Sequence, residues 1–187
     1  MDKERISGKE MLNLINKRQS DRGYINKEVE QEKLERILEA GRLAPSACNS
    51  QPWKFIVVNE PGLRTEVSRA ATAKELGFNK FIDQAPILIV IVREKPNFVP
   101  RIGGSIKNKD YSIIDIGIAA ENICLQATAD ELGTCILGWF NEKKVKQLLN
   151  IPENKRAELI ITLGYPSNPH REKKRKKSLE VISYNKY

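Results

Sequence analysis

The chain has 187 residues, with 32 lysines and arginines against 24 acidic residues and a formal net charge of +8. That length suits a single domain, expected over residues 1–187, and 40% hydrophobic residues exclude a disordered chain. The cysteines Cys48, Cys124 and Cys135 form no CxxC pair, the first ten residues hold no apolar core of a leader, and PILIVIV falls far short of a membrane span of roughly 20 residues. A reduced, soluble, cytoplasmic protein with no metal is expected.

Residues 9–17 carry Met11, Leu12, Leu14 and Ile15 as an apolar stripe, which predicts a short amphipathic helix capped by Ser7. Residues 18–24 break that pattern and read as extended. A second helix is expected from about residue 30 to 43, where Leu34, Ile37, Leu38 and Gly41 recur at i, i+3, i+4 and i+7. Pro45 closes it, because a residue before proline avoids the helical region. WKFIVV at 53–58 reads as a buried strand, Pro61 as the first turn of a helix, and residues 87–92 as a strand covered on both faces. Residues 93–109 read as a long loop. Residues 112–132 are apolar nearly all round, which predicts a long helix central to the fold, with Gly133 as its C′ residue. A strand at 134–137, a helix at 142–149 and a strand at 159–163 follow. LEVISY at 179–184 alternates like a strand, and its detachment from the body suits pairing with the sheet edge of a partner chain. The class is α+β, a sheet covered by helices.

The positive charge is local. Residues 171–177 read REKKRKK, six positive and one negative, so this C-terminal arm (171–187) carries most of the excess. Such a run fits a nucleic-acid patch, but no helix-turn-helix, zinc-finger or aromatic RNA-binding signature accompanies it, so no nucleic-acid partner is expected. No GxGxxG, GxxxxGK[ST] or HExxH occurs, and the single histidine, His170, sits in a polar surface stretch. In RQSDR (18–22), alternation puts Arg18, Ser20 and Arg22 on one face and Gln19 and Asp21 on the other. Two guanidiniums flanking a hydroxyl suit a phosphate, and the same pattern also fits a solvated charged strand. The loop APSACNSQPW (44–53) offers main-chain and amide donors to a flat heteroaromatic edge, or simply joins a helix to a strand. Cys48 reads as a small filler or else a redox thiol, Cys124, Cys135 and Trp53 as core, and Trp139 as either core or pocket.

R-x-S-x-R after a first helix, then L-x-x-I-L-E-A-x-x-x-A-P-S-x-x-N-x-Q-P-W-x-F, resembles the nitroreductase family of FMN-dependent oxidoreductases. Asp115 followed by A-A-x-N-I-x-L-x-A, then G-T-C-x-L-G-W-F, L-x-I-P-E and L-G-Y-P, agree in order. The resemblance implies a nitroreductase-like mixed central sheet covered by helices, in a homodimer with exchanged C-terminal arms and active sites at the interface. It also implies non-covalent FMN and NAD(P)H as co-substrate, with electrons passed by a ping-pong scheme to nitroaromatics, quinones or similar small acceptors. A flavin-sequestering protein and a reductive dehalogenase are the alternatives on the same fold.

Carried onto this sequence, the resemblance implies that Arg18, Ser20 and Arg22, with Gln19 in the same segment, hold the FMN phosphate and ribityl chain. Lys173 and Arg175 return to that phosphate. Pro45, Ser46, Asn49 and Gln51 lie along the ring from the second subunit, Leu137, Gly138 and Trp139 offer backbone near its reactive edge, and Lys80 sits beside O2. No side chain is implied as acid or base. Two features depart from the family pattern: Asp21 puts a carboxylate into the phosphate segment, and the chain is short, leaving the loop at 93–109 to shape the substrate pocket.

Overall fold

The computed structural model describes residues 6–72, 79–96 and 109–187, so most of the loop expected at 93–109 lies outside the described residues. Six α-helices are described: α1 Gly8–Lys17, α2 Gln31–Arg42, α3 Pro61–Ala71, α4 Tyr111–Ala129, α5 Glu142–Leu148 and α6 Ser178–Val181. The strands are β1 Trp53–Val58, β2 Ile87–Arg93, β3 Gly133–Leu137 and β4 Arg156–Gly164, ordered β1-β2-β4-β3 and antiparallel at every pairing. Parallel character enters only where Ser20 bridges Thr134 on the outer edge of β3. That single bridge is what the expected mixed sheet amounts to among the described residues.

The apolar run of β2 is buried on both sides because the sheet is a middle layer. Ile87, Ile89 and Ile91 face α2 and α4, together with Leu34, Ile37, Ile116, Ile123 and Ile161. Leu88, Val90 and Val92 face the other way, into a second core with Val67, Val145 and Ile160. Each such side chain contributes roughly 1.5–3 kcal/mol on burial, so the two cores hold the sheet from both faces. Gly41 lets α2 approach α4, since a Cβ there would lie 2.8 Å from Cγ1 of Ile123.

The helix starts follow their local chemistry. Ser7 and Glu10 form a capping box on α1, and the Glu60 carboxylate accepts from the N–H groups of Gly62 and Leu63 ahead of Pro61. The end of α4 differs from the expectation for Gly133. Asp130 caps the helix and Glu131 takes the left-handed conformation (φ 63°), with Leu132 N–H donating to Ala127 O at 2.7 Å. Gly133 instead opens β3, where it makes room for Asp21.

The C-terminal expectation also changes. Residues 178–181 form a helical turn, not a strand, with Ile182 N–H bonded to Ser178 O and the Glu180 carboxylate accepting from Lys177 N–H. These local bonds engage backbone groups that an extended strand would have offered to a ladder. Leu179, Val181, Ile182 and Tyr184 remain exposed.

The centrality expected of α4 is half met. Ile116, Ala119, Ile123 and Ala127 pack inward, whereas Ile113, Ile114 and Ile118 face out. Against α4 rests α1, which buries no residue and exposes Met11, Leu12 and Ile15. Among the described residues no helix is long and apolar enough to cross a membrane, and no group of His, Cys, Asp and Glu is placed to hold a metal ion.

Candidate functional site

The segment after α1 runs along β3 as a strap. Ser20 makes the parallel bridge to Thr134, and Asp21 N–H donates to Thr134 O at 2.8 Å, covering an otherwise open strand edge. The period-two expectation holds for Asp21, turned inward and buried, and for Arg22, exposed on the opposite face, but not for Gln19, which stays partly exposed beside Arg18 and Ser20. Burial pushes the Asp21 carboxyl above the usual range, opposed by the bond it accepts from Gln19 Nε2 at 2.8 Å. Asp21 thus stays out of the face that carries the guanidiniums.

The basic arm returns to this strap. Arg171 donates from its N–H to Gln19 Oε1 (3.0 Å) and from Nη2 to Ser20 O (2.6 Å), and the Lys173 ammonium reaches Arg18 O. His170, at the surface as expected, lies 3.2 Å from Asn16 O. The result is an open cleft of about 660 Å³ lined by strap residues Arg18, Gln19, Ser20 and Arg22, and by arm residues from Arg171 to Arg175.

Arg18 pairs with Glu121 at 3.2 Å, yet the cleft as a whole is strongly cationic. Burial, then the charges of Arg18 and Arg175, hold the Lys173 ammonium below the usual lysine range. Like charges crowded around one concavity, with guanidiniums able to bond bidentately, make a receptor for a compact anion such as a phosphate. The reading of single residues missed Arg171 and Lys174; their only sequence signal was membership of the basic run.

The loop after α2 does not line this cleft. Its residues Ala47–Asn49 form a 3-10 turn, and Cys48, Asn49 and Gln51 all take positive φ (50°, 51° and 47°). Such left-handed positions cost roughly 1–3 kcal/mol each and persist only where surroundings enforce them. Ala47 N–H donates to both Oδ atoms of Asp115 at 3.2 Å, Gln51 N–H donates to Ser46 Oγ at 2.9 Å, and Gln51 Nε2 donates to Asn49 Oδ1 at 3.1 Å. Pro45, Asn49 and Gln51 are exposed and Ser46 is partly covered, so the loop presents a polar rim. Cys48 is exposed and fills nothing, which corrects its reading as a filler. Asp115 was visible only as part of the family-like motif, and its service to the loop was not legible. Burial pushes its carboxyl upward, against the Ala47 bond.

At the far end of β3, Leu137 is buried while Gly138 and Trp139 are exposed, so Trp139 is not core. Trp53 is core, stacked on Phe55 with ring centroids 6.4 Å apart. Asn79 Nδ2 donates to Trp139 O at 3.1 Å, which sets the turn Lys80–Gln84 beside the exit of β3. Lys80 lines a separate cavity of about 290 Å³ with Ser68, Arg69, Thr72 and Asp83 and does not reach the cationic cleft. Cys124 and Cys135 are buried as expected, and burial pushes the Cys124 thiol up to about 11.

The model of the nitroreductase family matches residues 15–165. An Archaeoglobus fulgidus protein, provisionally named NADH dehydrogenase/NAD(P)H nitroreductase, is 34% identical over 163 residues, covering 85% of this chain and 87% of its own. The solved FMN-dependent nitroreductase of Clostridium difficile R20291 superposes with a TM-score of 0.76 at 30% identity, over 94% of this chain and 99% of that one. An iodotyrosine deiodinase of Haliscomenobacter hydrossis is 26% identical over 200 residues, covering 92% of this chain and 88% of its own.

Proposed function

The chain belongs to the nitroreductase family and has its fold, and from that premise we propose that it is an FMN-dependent oxidoreductase taking electrons from NAD(P)H and passing them to a small conjugated acceptor. The observation that carries this reading is the convergence of strap and arm on one cationic cleft. Arg18, Arg22, Lys173 and Arg175 would face the FMN phosphate, with Ser20 beside it. From Thr134 under the strap to Gly138 at the strand exit, β3 rises roughly 13 Å, at about 3.3 Å per residue. One strand therefore joins a phosphate receptor to main-chain groups suited to a ring.

FMN, when bound, supplies the hydride chemistry. The chain would neutralise the phosphate and offer backbone at Gly138 and Trp139, while the turn that begins at Lys80 follows Asn79, whose Nδ2 donates to Trp139 O. No Rossmann motif is needed, because nicotinamide and acceptor would use one space in turn. The loop of Pro45, Ser46, Asn49 and Gln51 lies off its own chain's cleft, so in this reading it completes the site of a second copy. Two exposed apolar faces, Ile113, Ile114 and Ile118 on α4 and Met11, Leu12 and Ile15 on α1, support a homodimer.

The test is the visible spectrum of the purified protein, followed by acid release and identification of the flavin. Arg18→Ala and Arg175→Ala should lower FMN occupancy. A colourless protein that cannot be reconstituted with FMN overturns the reading.

A second reading, reductive dehalogenation, is favoured by the likeness to the Haliscomenobacter hydrossis deiodinase. There two electrons and a proton replace a carbon–halogen bond by carbon–hydrogen and release halide. Turnover of a nitroaromatic against iodotyrosine, with iodide release measured, separates the two.

A further inference from the structure

We infer that Gln19 is a positioning residue that latches the basic arm onto the strap, and so sets how well the cleft holds a phosphate without spending its own amide on that phosphate. The inference rests on the reading of the cleft as a phosphate site and says how that site is assembled. Gln19 is the one strap side chain whose amide is bonded at both ends. Its Oε1 accepts from Arg171 N–H at 3.0 Å, and its Nε2 donates to Asp21 Oδ1 at 2.8 Å and to Pro169 O at 3.3 Å. Asp21 fixes the amide's orientation, since only the nitrogen can face a carboxylate. Asp21 is itself fixed, buried with its carboxylate against Gly133. A chain of contacts therefore runs from the first residue of β3, through Asp21 and Gln19, to the main chain at the start of the arm.

The latch has a force to oppose. The arm brings Arg171, Lys173, Lys174 and Arg175 towards Arg18 and Arg22, and these charges repel one another at close range. From Arg171 onward the other attachments to the strap, from Arg171 Nη2 to Ser20 O and from Lys173 to Arg18 O, are made by the same flexible cations that a phosphate would recruit, while His170 at Asn16 O and Ser167 N–H at Gly23 O hold only the approach to the arm. Gln19 holds the arm by its backbone and leaves those side chains available. Arm docking and phosphate binding are in consequence linked: whatever loosens the latch weakens the anion, and an anion in the cleft steadies the arm.

The experiment compares FMN with riboflavin, which lacks the phosphate, by fluorescence titration of flavin-free protein, and reads hydrogen exchange over residues 169–175 without flavin. Gln19→Ala should loosen FMN about three- to tenfold, the worth of one hydrogen bond, and leave riboflavin within twofold. Exchange at Arg171 N–H should quicken. Gln19→Glu sets two carboxylates face to face and should quicken it further; Gln19→Glu combined with Asp21→Asn restores the donor and should recover protection. Equal loosening of both flavins, or unchanged exchange in Gln19→Ala, overturns the latch. If the wild type binds neither flavin, the functional reading fails, while the exchange data still decide the latch.

Discussion

The Asp21 carboxylate lies directly over the α-carbon of Gly133: a Cβ at residue 133 would sit 2.7 Å from Oδ2 and 2.9 Å from Cγ of Asp21. Gly133 has no left-handed φ to protect, so its missing side chain matters for space alone. Gly133→Ala should destabilise the fold by about 1–3 kcal/mol, as overpacking does, read as a lower urea midpoint. It should also loosen the strap and with it any bound FMN. Asp21→Ala in the same chain should recover part of the loss and not all, because the Cβ of residue 21 would still lie 3.0 Å away. No recovery would mean that the collision is elsewhere.

Much of this fold was readable because its signals are local or periodic. Alternation in RQSDR sets Asp21 inside and Arg22 outside, and the i, i+3, i+4, i+7 repeat places Leu34, Ile37 and Gly41 on the buried face of α2. Gly133 misled because a glycine after a helix has two uses, a left-handed cap and a close approach, and the sequence does not say which. LEVISY misled because alternation describes a face, whereas the local bonds of Ser178 and Glu180 decide the backbone there. The assembly of the cleft was half legible: the arginines of the strap and the basic run stand out separately, but the latch between them joins residues about 150 positions apart. Asp115 and its loop are a further pairing of distant residues that no spacing rule announces.

Asp115 gives a pH prediction. Burial raises its carboxyl above the usual value, so at this position the folded chain binds a proton more readily than the unfolded one. Its contribution to stability is therefore largest below the ordinary carboxylate value and falls as pH rises through the raised one. Asp115→Asn cannot lose a proton there. Urea midpoints measured from pH 4 to 8 should show wild type minus variant decreasing with pH and then levelling off. A difference independent of pH would remove the titration from the account. Asp21, raised for the same reason, keeps its own slope in both proteins.

The three thiols should separate by reactivity. Cys48 is exposed on the loop, whereas Cys124 and Cys135 are buried and pushed upward by burial, which keeps them as unreactive thiols. A maleimide or a disulfide reagent at pH 8 should modify one thiol per chain rapidly, and the remaining two only in denaturant. Cys48→Ser should abolish the fast phase. If the loop completes the flavin site of a second copy, loading with FMN slows that phase as well. Fast labelling of Cys48→Ser would show that a core cysteine is reached without unfolding.

The proposed division of each site between two chains can be tested by mixing. Arg18→Ala with Arg175→Ala damages the cleft and leaves the loop intact, while Asn49→Ala with Ser46→Ala damages the loop and leaves the cleft intact. Each variant alone should hold little FMN. If cleft and loop of one site come from different chains, co-expression or refolding of the two together gives hybrids in which one site is wholly damaged and the other wholly intact. Random pairing then restores about one quarter of the wild-type flavin, since half of the dimers are hybrids and each carries one sound site. If a site were built within a single chain, every site in the mixture would still carry one lesion and the flavin content would not rise. Ile114→Lys on the exposed face of α4 provides the control: it should lower the sedimentation coefficient towards that of a monomer and abolish the restoration with it.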